Sequence, residues 1–290
     1  MDSAVFVGLS VVDVIHAVDA VPRENAKAVA RRQEVLCGGP AANAAITCAF
    51  LGERVTLASA IGRHPLTTII RSELAHYRVS LHDLMPNSSE TPSISSVLVT
   101  EGTGARAIIS GHATRQQAPP ESFDGDLLND AGVLLIDGHQ ASCGLRASTL
   151  AQEKGVPVVL DGGSWKPQTA DLLARTTHAL CSEDFHPPDT SSSADVISDL
   201  LNRGVQAVAI TRGGSSVLWA TPNDSGEIAL PKISAVDTSG AGDVFHGAFC
   251  HRLLRAAPFP EALAFAAKVA SFSCQYFGTR TWMNAWSGSF

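Results

Sequence analysis

The chain has 290 residues, 45% of them hydrophobic, and its 28 acidic and 21 basic side chains give a formal charge of −7. That length can bury a sizeable α/β core, and an acidic balance without any basic run excludes a nucleic-acid footprint. No run reaches the about eighteen apolar residues a membrane span needs. The N-terminal apolar run is broken by Asp13, His16 and Asp19, where a secretory leader would be continuous. The six cysteines (37, 48, 143, 181, 250, 274) show neither CxxC nor zinc spacing, so reduced thiols in a cytoplasmic protein are expected.

In chain order, "AVFVGLS" (4–10) opens as a strand apolar at every position, as a strand covered on both faces must be. Helix-period stretches at 41–51 and 66–77 flank a second strand, "RVTLASAIG" (54–62). Strands at 132–138, 156–163, 178–182 and 207–214 then alternate with helices at 144–154, 168–176 and 193–203. Two helices close the chain, 241–255 and 259–276, separated by Pro258 and Pro260. This alternation predicts an α/β fold on a mostly parallel, doubly wound sheet, in one unit spanning 1–290. Segments of about 11–36 and 93–112 break it; the second, "SISSVLVTEGTGARAIISGH", reads as two strands around a turn. Together they predict a small antiparallel sheet inserted as a lid above the strand-end crevice.

The stretch "SAVDTSGAGDVFHGAF" (234–249) places an acid, Asp243, against a glycine turn that opens an apolar helix. Unpaired amides of Gly240, Ala241, Gly242 and Asp243 at such a helix start converge on an anion. A carboxylate there repels a resting phosphate, but it suits a base that takes the proton from a hydroxyl attacking phosphorus. Other phosphate and acyl-transfer signatures fail. There is no GxxxxGK[ST] and no GxSxG, and Phe245 stands where the third glycine of GxGxxG belongs.

"DTSGAGD" (237–243) resembles the C-terminal signature of the ribokinase-like (PfkB) carbohydrate kinases, and "GGPAANAAITCAFLG" (38–52) resembles their N-terminal one. "VGLSVVD", "LLIDGH" and "ITRGGSSVL" also have counterparts there, so the resemblance spans the chain. It implies a ribokinase-like three-layer fold with a β-lid, and ATP-dependent phosphorylation of a sugar hydroxyl assisted by Mg2+. By resemblance Asp243 is the catalytic base, and the 240–243 amides hold the transferring phosphoryl group. Asp13, Gly38, Gly39 and Asn43 match sugar-binding positions, while Thr211, Arg212, Gly213 and Gly214 match the turn beside the nucleotide. Asp137 stands where relatives often carry an acid facing the sugar, and it equally suits a strand-end turn before Gly138.

One departure touches the metal. Relatives usually carry an NxxE motif that organises magnesium, and here the stretch is "SEDF" (182–185), with Ser182 for Asn and Phe185 for Glu. Glu183 is the substitute. Asp237 matches a residue beside a monovalent-cation (K+) site whose remaining members fall around 269–280. The pattern is nearest the sulfofructose kinase branch, which Lys27 matches, but an arginine expected after the mid-chain acid is His139. One lysine without that guanidinium fork recognises an anion weakly, which favours a neutral ketohexose or related sugar. The lid segment 93–112 has no aromatic residue, which speaks against a nucleoside. A weakly catalytic sugar sensor would have little need of Asp243. Lid-to-lid pairing into a homodimer is the implied assembly, with neither nucleic acid nor membrane as partner.

Overall fold

The computed structural model describes residues 2–111 and 116–288, so His112, at the end of the second lid segment, lies outside the described residues. The chain runs β1 (Ser3–Val7), β2 (Val11–Val18), β3 (Arg32–Gly38), α1 (Pro40–Phe50), β4 (Val55–Ser59), α2 (Thr67–His76), β5 (Val79–Asp83), β6 (Ile94–Thr100) and β7 (Arg106–Ser110). It continues through β8 (Ala131–Ile136), α3 (Ala141–Glu153), β9 (Val158–Gly162), α4 (Thr169–Leu173), β10 (His178–Ser182) and α5 (Ser193–Asn202). The last elements are β11 (Ala207–Thr211), β12 (Val217–Ala220), β13 (Ser225–Ile228), α6 (Ala241–Leu254) and α7 (Phe259–Ser273).

Nine strands form the main sheet in the order β13-β12-β11-β10-β9-β8-β1-β4-β5. β12 pairs antiparallel with both β11 and β13 at one edge, and all other neighbours are parallel. All five residues of β1 are buried because helices cover both faces of the sheet. Ala4 and Phe6 enter the apolar cluster beneath α1, α6 and α7, while Val5 and Val7 enter the opposite cluster with α3 and α5. β5 and the β12–β13 hairpin escaped the sequence reading. All three are short and lie at or next to a sheet edge, and β13 (SGEI) is largely exposed and carries no apolar run.

The lid is a separate four-stranded sheet, β3-β2-β6-β7. Its expected antiparallel character needs correction: β2–β3 and β6–β7 are antiparallel hairpins, but β2 and β6 pair parallel. The reason is directional, since β2 follows β1 and β6 follows β5, two main-sheet strands that run the same way. The first strand also ends sooner than expected, at Val7, so Asp13 lies on the lid strand β2 and not at the end of β1.

Small residues bring α1 against α6. A side chain at Gly247 on α6 would lie 2.3 Å from the Ala44 carbonyl oxygen on α1, so only glycine permits this approach. The α1 face consists of buried alanines, and the close crossing sets Asn43 of α1 beside Asp243 of α6.

Candidate active site

The signature turn opens α6 at Gly240, whose φ of 69° is left-handed. A Cβ there would stand 2.9 Å from Thr279 Cγ2, a second reason for glycine. Among the described residues the amides of Gly240, Gly242 and Asp243 have no backbone acceptor, whereas Ala241 N–H donates to the Thr238 carbonyl at 3.3 Å. Three of the four amides expected to form an anion nest are therefore without a backbone acceptor. A Cβ at Gly242 would meet nothing within 4 Å, so the nest opens onto free space.

Asp243 is half-buried, and its Oδ2 accepts a hydrogen bond from Asn43 Nδ2 at 2.6 Å. Burial first, then repulsion from Asp161, pushes its carboxyl from 3.8 up to about 6, against the Asn43 hydrogen bond and the charges of His246 and Arg106. A base poised near neutrality is what proton abstraction from an alcohol requires. Asp161 lies near the end of β9; it is 8% exposed and stands 3.5 Å from His246 Nδ1. Burial raises its own pKa, and His246 opposes the rise.

The lid side is built around Asp13 and the two glycines. A Cβ at Gly38 would fall 1.8 Å from Asp13 Oδ2, and one at Gly39 (φ 99°) would fall 2.4 Å from the Leu9 carbonyl. Asp13 lies opposite Ser95 of β6 in register, and burial, against the favourable influence of Ser95, raises its pKa. On the other side, Ser182, Glu183, Thr211, Gly213 and Gly214 gather at the ends of β10 and β11. Glu183 N–H donates to the Thr211 carbonyl at 2.9 Å, and Glu183 Oε1 lies 4.0 Å from the Cβ position of Gly213. Phe185, standing for the missing Glu, is 1% exposed and packs edge-on against Trp165. Its place is in the core.

Several expected site residues are spent elsewhere. The Asp137 carboxylate accepts the amides of Leu9 (2.8 Å), Ala41 (3.2 Å) and His139 (2.9 Å), so it clamps the β1 end to the α1 start. His139 follows this clamp, half-buried, with its carbonyl taken by Gln117. The Arg212 guanidinium is tied to Ser216 and Glu227 of the β12–β13 region, not held free for a nucleotide. Lys27 is exposed on the β2–β3 loop. Both Asp237 oxygens accept amides, from Ser239 at 2.8 Å and Gly278 at 2.9 Å. Of these two partners Gly278 lies within 269–280, and among the described residues no three His, Cys, Asp or Glu side chains group as metal ligands.

The sequence reading missed four residues. Arg280 Nη2 donates to Asn43 Oδ1 at 2.8 Å, and Arg280 Nε donates to Glu73 Oε1 at 2.7 Å. Arg106, first residue of β7, donates to the Thr238 carbonyl at 2.9 Å and so ties lid to signature. Asp161 was readable only as the last polar residue of a strand, "VVLDGG". None of the four belongs to a short motif; pairings up to 237 residues apart bring them in.

A family profile described as pfkB family carbohydrate kinase matches residues 1–286. The chain belongs to this family. It is accordingly an ATP-dependent carbohydrate kinase. A ribokinase of Arabidopsis thaliana is 25% identical over 289 residues, covering 94% of this chain and 76% of that protein. A deoxyribokinase of Salmonella typhi is 24% identical, covering 97% and 95%. Among solved structures, Arabidopsis thaliana ribokinase complexed with ribose and ATP superposes with a TM-score of 0.79 at 23% identity, covering 96% and 95%. Ribokinase from Giardia lamblia superposes at 0.83 and 16% identity, covering 98% and 96%. Both establish the ribokinase-like fold.

Proposed function

We propose that this pfkB-family kinase moves the γ-phosphoryl group of ATP to a hydroxyl of a small neutral sugar, a ketohexose or related compound. The observation that carries the reading is Asp243, held by Asn43 at 2.6 Å beside three amides that lack acceptors. Asp243 takes the proton from the attacking hydroxyl, while the amides of Gly240, Gly242 and Asp243 receive the charge that develops on the transferring group. Asp13 and Asn43 orient the sugar under the lid. The lid excludes water that would compete as acceptor. The turn at Gly213 and Gly214, beside Thr211, Ser182 and Glu183, accepts the nucleotide.

Magnesium fits as an ion carried chiefly by the ATP phosphates. Asp161 and Asp243 lie close enough to repel each other, and Asp161, with Glu183 on the nucleotide side, would hold the ion through water. When bound, it neutralises phosphate charge. A monovalent cation would use the lone pairs left on Asp237, whose two oxygens each accept one amide, and no step is assigned to one. Exposed Val35 on β3 and Ile108 and Ile109 on β7 support pairing of two lids into a homodimer. Six buried, unpaired cysteines suit a reducing, cytoplasmic setting.

An aldopentose is the second reading, favoured by the names of the relatives, ribokinase and deoxyribokinase. The test is a coupled assay of specificity constants for neutral ketohexoses, ribose, deoxyribose, nucleosides, and 6-phosphate and 6-sulfonate ketohexoses, in wild type and Lys27→Ala. A neutral sugar is expected to lead and Lys27→Ala to change little. A preference for an anionic sugar that disappears with Lys27 overturns the choice.

A further inference from the structure

The primary amide of Asn43 is symmetric in shape, and either end could face Asp243. Its orientation is set by what lies behind it. Arg280 has donors and no acceptor, so its 2.8 Å contact forces Asn43 Oδ1 inward and turns Nδ2 toward the Asp243 carboxylate. Arg280 is itself 9% exposed and fully engaged. Its Nε donates to Glu73 on α2, Nη2 also donates to the Cys37 carbonyl at 2.8 Å, and Nη1 donates to Thr279 Oγ1 at 2.9 Å. The second Glu73 oxygen accepts Cys37 N–H at 2.7 Å. The guanidinium thus joins α2, the β3–α1 junction and the segment after α7, and two of the residues it holds, Asn43 and Thr279, stand against Gly240.

We propose that Arg280 is a positioning residue of the phosphoryl-transfer site: it locks the Asn43 amide with its N–H toward Asp243 and so holds the base in its reactive orientation. The consequence for turnover rests on the kinase reading above, while the lock itself is a property of the resting protein. Without Arg280 the Asn43 amide is free to rotate, and the carboxylate loses a hydrogen bond that favours its charged form. The groups that act on Asp243 electrostatically besides Asn43 are Asp161 from β9, His246 from α6 and Arg106 from β7, and none of them touches Arg280. Asp13, Glu34 and Tyr77 join Glu73 in the electrostatic surroundings of Arg280 itself.

The experiment titrates Asp243 by carboxyl 13C NMR in aspartate-labelled protein, with Asp243→Asn assigning the resonance. Wild type is compared with Arg280→Gln, Arg280→Lys and Glu73→Gln, and the pH profile of kcat/KM is taken in parallel. In Arg280→Gln the Asp243 midpoint is expected to rise by at least about half a pH unit. At pH 7, kcat is expected to fall tenfold or more with KM for ATP within threefold; a half-unit shift supplies only about 1.2-fold of this, so most of the loss is misorientation of the base and persists above pH 8, while the kcat/KM profile moves to higher pH with the midpoint. Arg280→Lys, which keeps a donor toward Asn43, is expected to restore part of the shift. Where loss of the buried pair prevents Arg280→Gln from folding, the lysine and Glu73→Gln variants decide, each with a smaller rise. An unmoved midpoint in folded variants, or kcat and the kcat/KM profile both unchanged, overturns the proposal. Should wild type phosphorylate no sugar on the panel, the kinase reading fails while the titration still decides the role of Arg280.

Discussion

Replacing Asp243 by asparagine should make the protein more stable and much less active. The native carboxyl is raised from 3.8 to about 6, chiefly by burial and then by Asp161. The folded state therefore holds this proton more tightly than the unfolded chain, and wild type loses stability as pH rises between those values. About two units at ~1.4 kcal/mol each gives ~3 kcal/mol as a ceiling. The side facing the cleft is open to water, which reduces this to about 1–2 kcal/mol. The substituted amide keeps an oxygen to accept from Asn43 and removes the buried charge. At about 2–4 °C per kcal/mol for a chain of this size, Tm should rise by about 2–8 °C at pH 8 and by almost nothing at pH 4, while kcat falls by about 10²–10⁴. Scanning calorimetry at both pH values and a coupled assay read the two effects. A variant no more stable at pH 8, a gain equal at both pH values, or turnover kept in the folded variant refutes the reasoning.

The neighbouring glycines should behave oppositely: Gly242→Val, into open space, keeps Tm within about 2 °C but lowers kcat tenfold or more with sugar Kd little changed, whereas Gly240→Ala, at φ 69° and against Thr279, costs about 1–2 kcal/mol of stability. Calorimetric Kd beside kcat separates them. In wild type, kcat/KM should climb with pH as Asp243 ionises near 6 and level off above about 7; a profile flat between pH 5 and 7 contradicts Asp243 as the base. Gly38→Ala should displace the Asp13 carboxylate, which lies 1.8 Å from the new methyl, and weaken sugar binding at least tenfold with ATP affinity preserved. Isothermal titration with each ligand checks it.

The doubly wound sheet was readable because its central strands are apolar at every position and its helices keep their period; every helix expected from 41–51 to 259–276 is present. The edges were less legible. β5 and β13 draw their identity from a neighbouring strand's hydrogen bonds and not from their own composition. Parallel pairing within the lid was invisible because it depends on where β1 and β5 aim the chain. In the site, Asp243, Asn43 and the glycines announce themselves by spacing within one turn. Asp137 shows the opposite limit: its sequence context suits a ligand or a turn, and two of the amides its carboxylate accepts come from 128 and 96 residues away. Arg280 and Glu73 carry no local signal, since their contacts span 207 and 237 residues of sequence.

The lid has an interior of its own, made of Ile15, Ala17, Leu36, Val97, Val99 and one contribution from outside the sheet, Phe277. Arg32 lies over that ring at 4.3 Å. So small a nucleus stands apart from the two clusters that flank the main sheet, and it should open by sub-global unfolding well before the whole protein melts. Backbone amides of β2, β3, β6 and β7 should then exchange with deuterium as one cooperative unit, faster than those of β1 and β8. Phe277 sits one residue before Gly278, whose amide holds Asp237, and three before Arg280. Residues 277–280 should accordingly exchange with the lid group, so that this short stretch reports on lid and signature together.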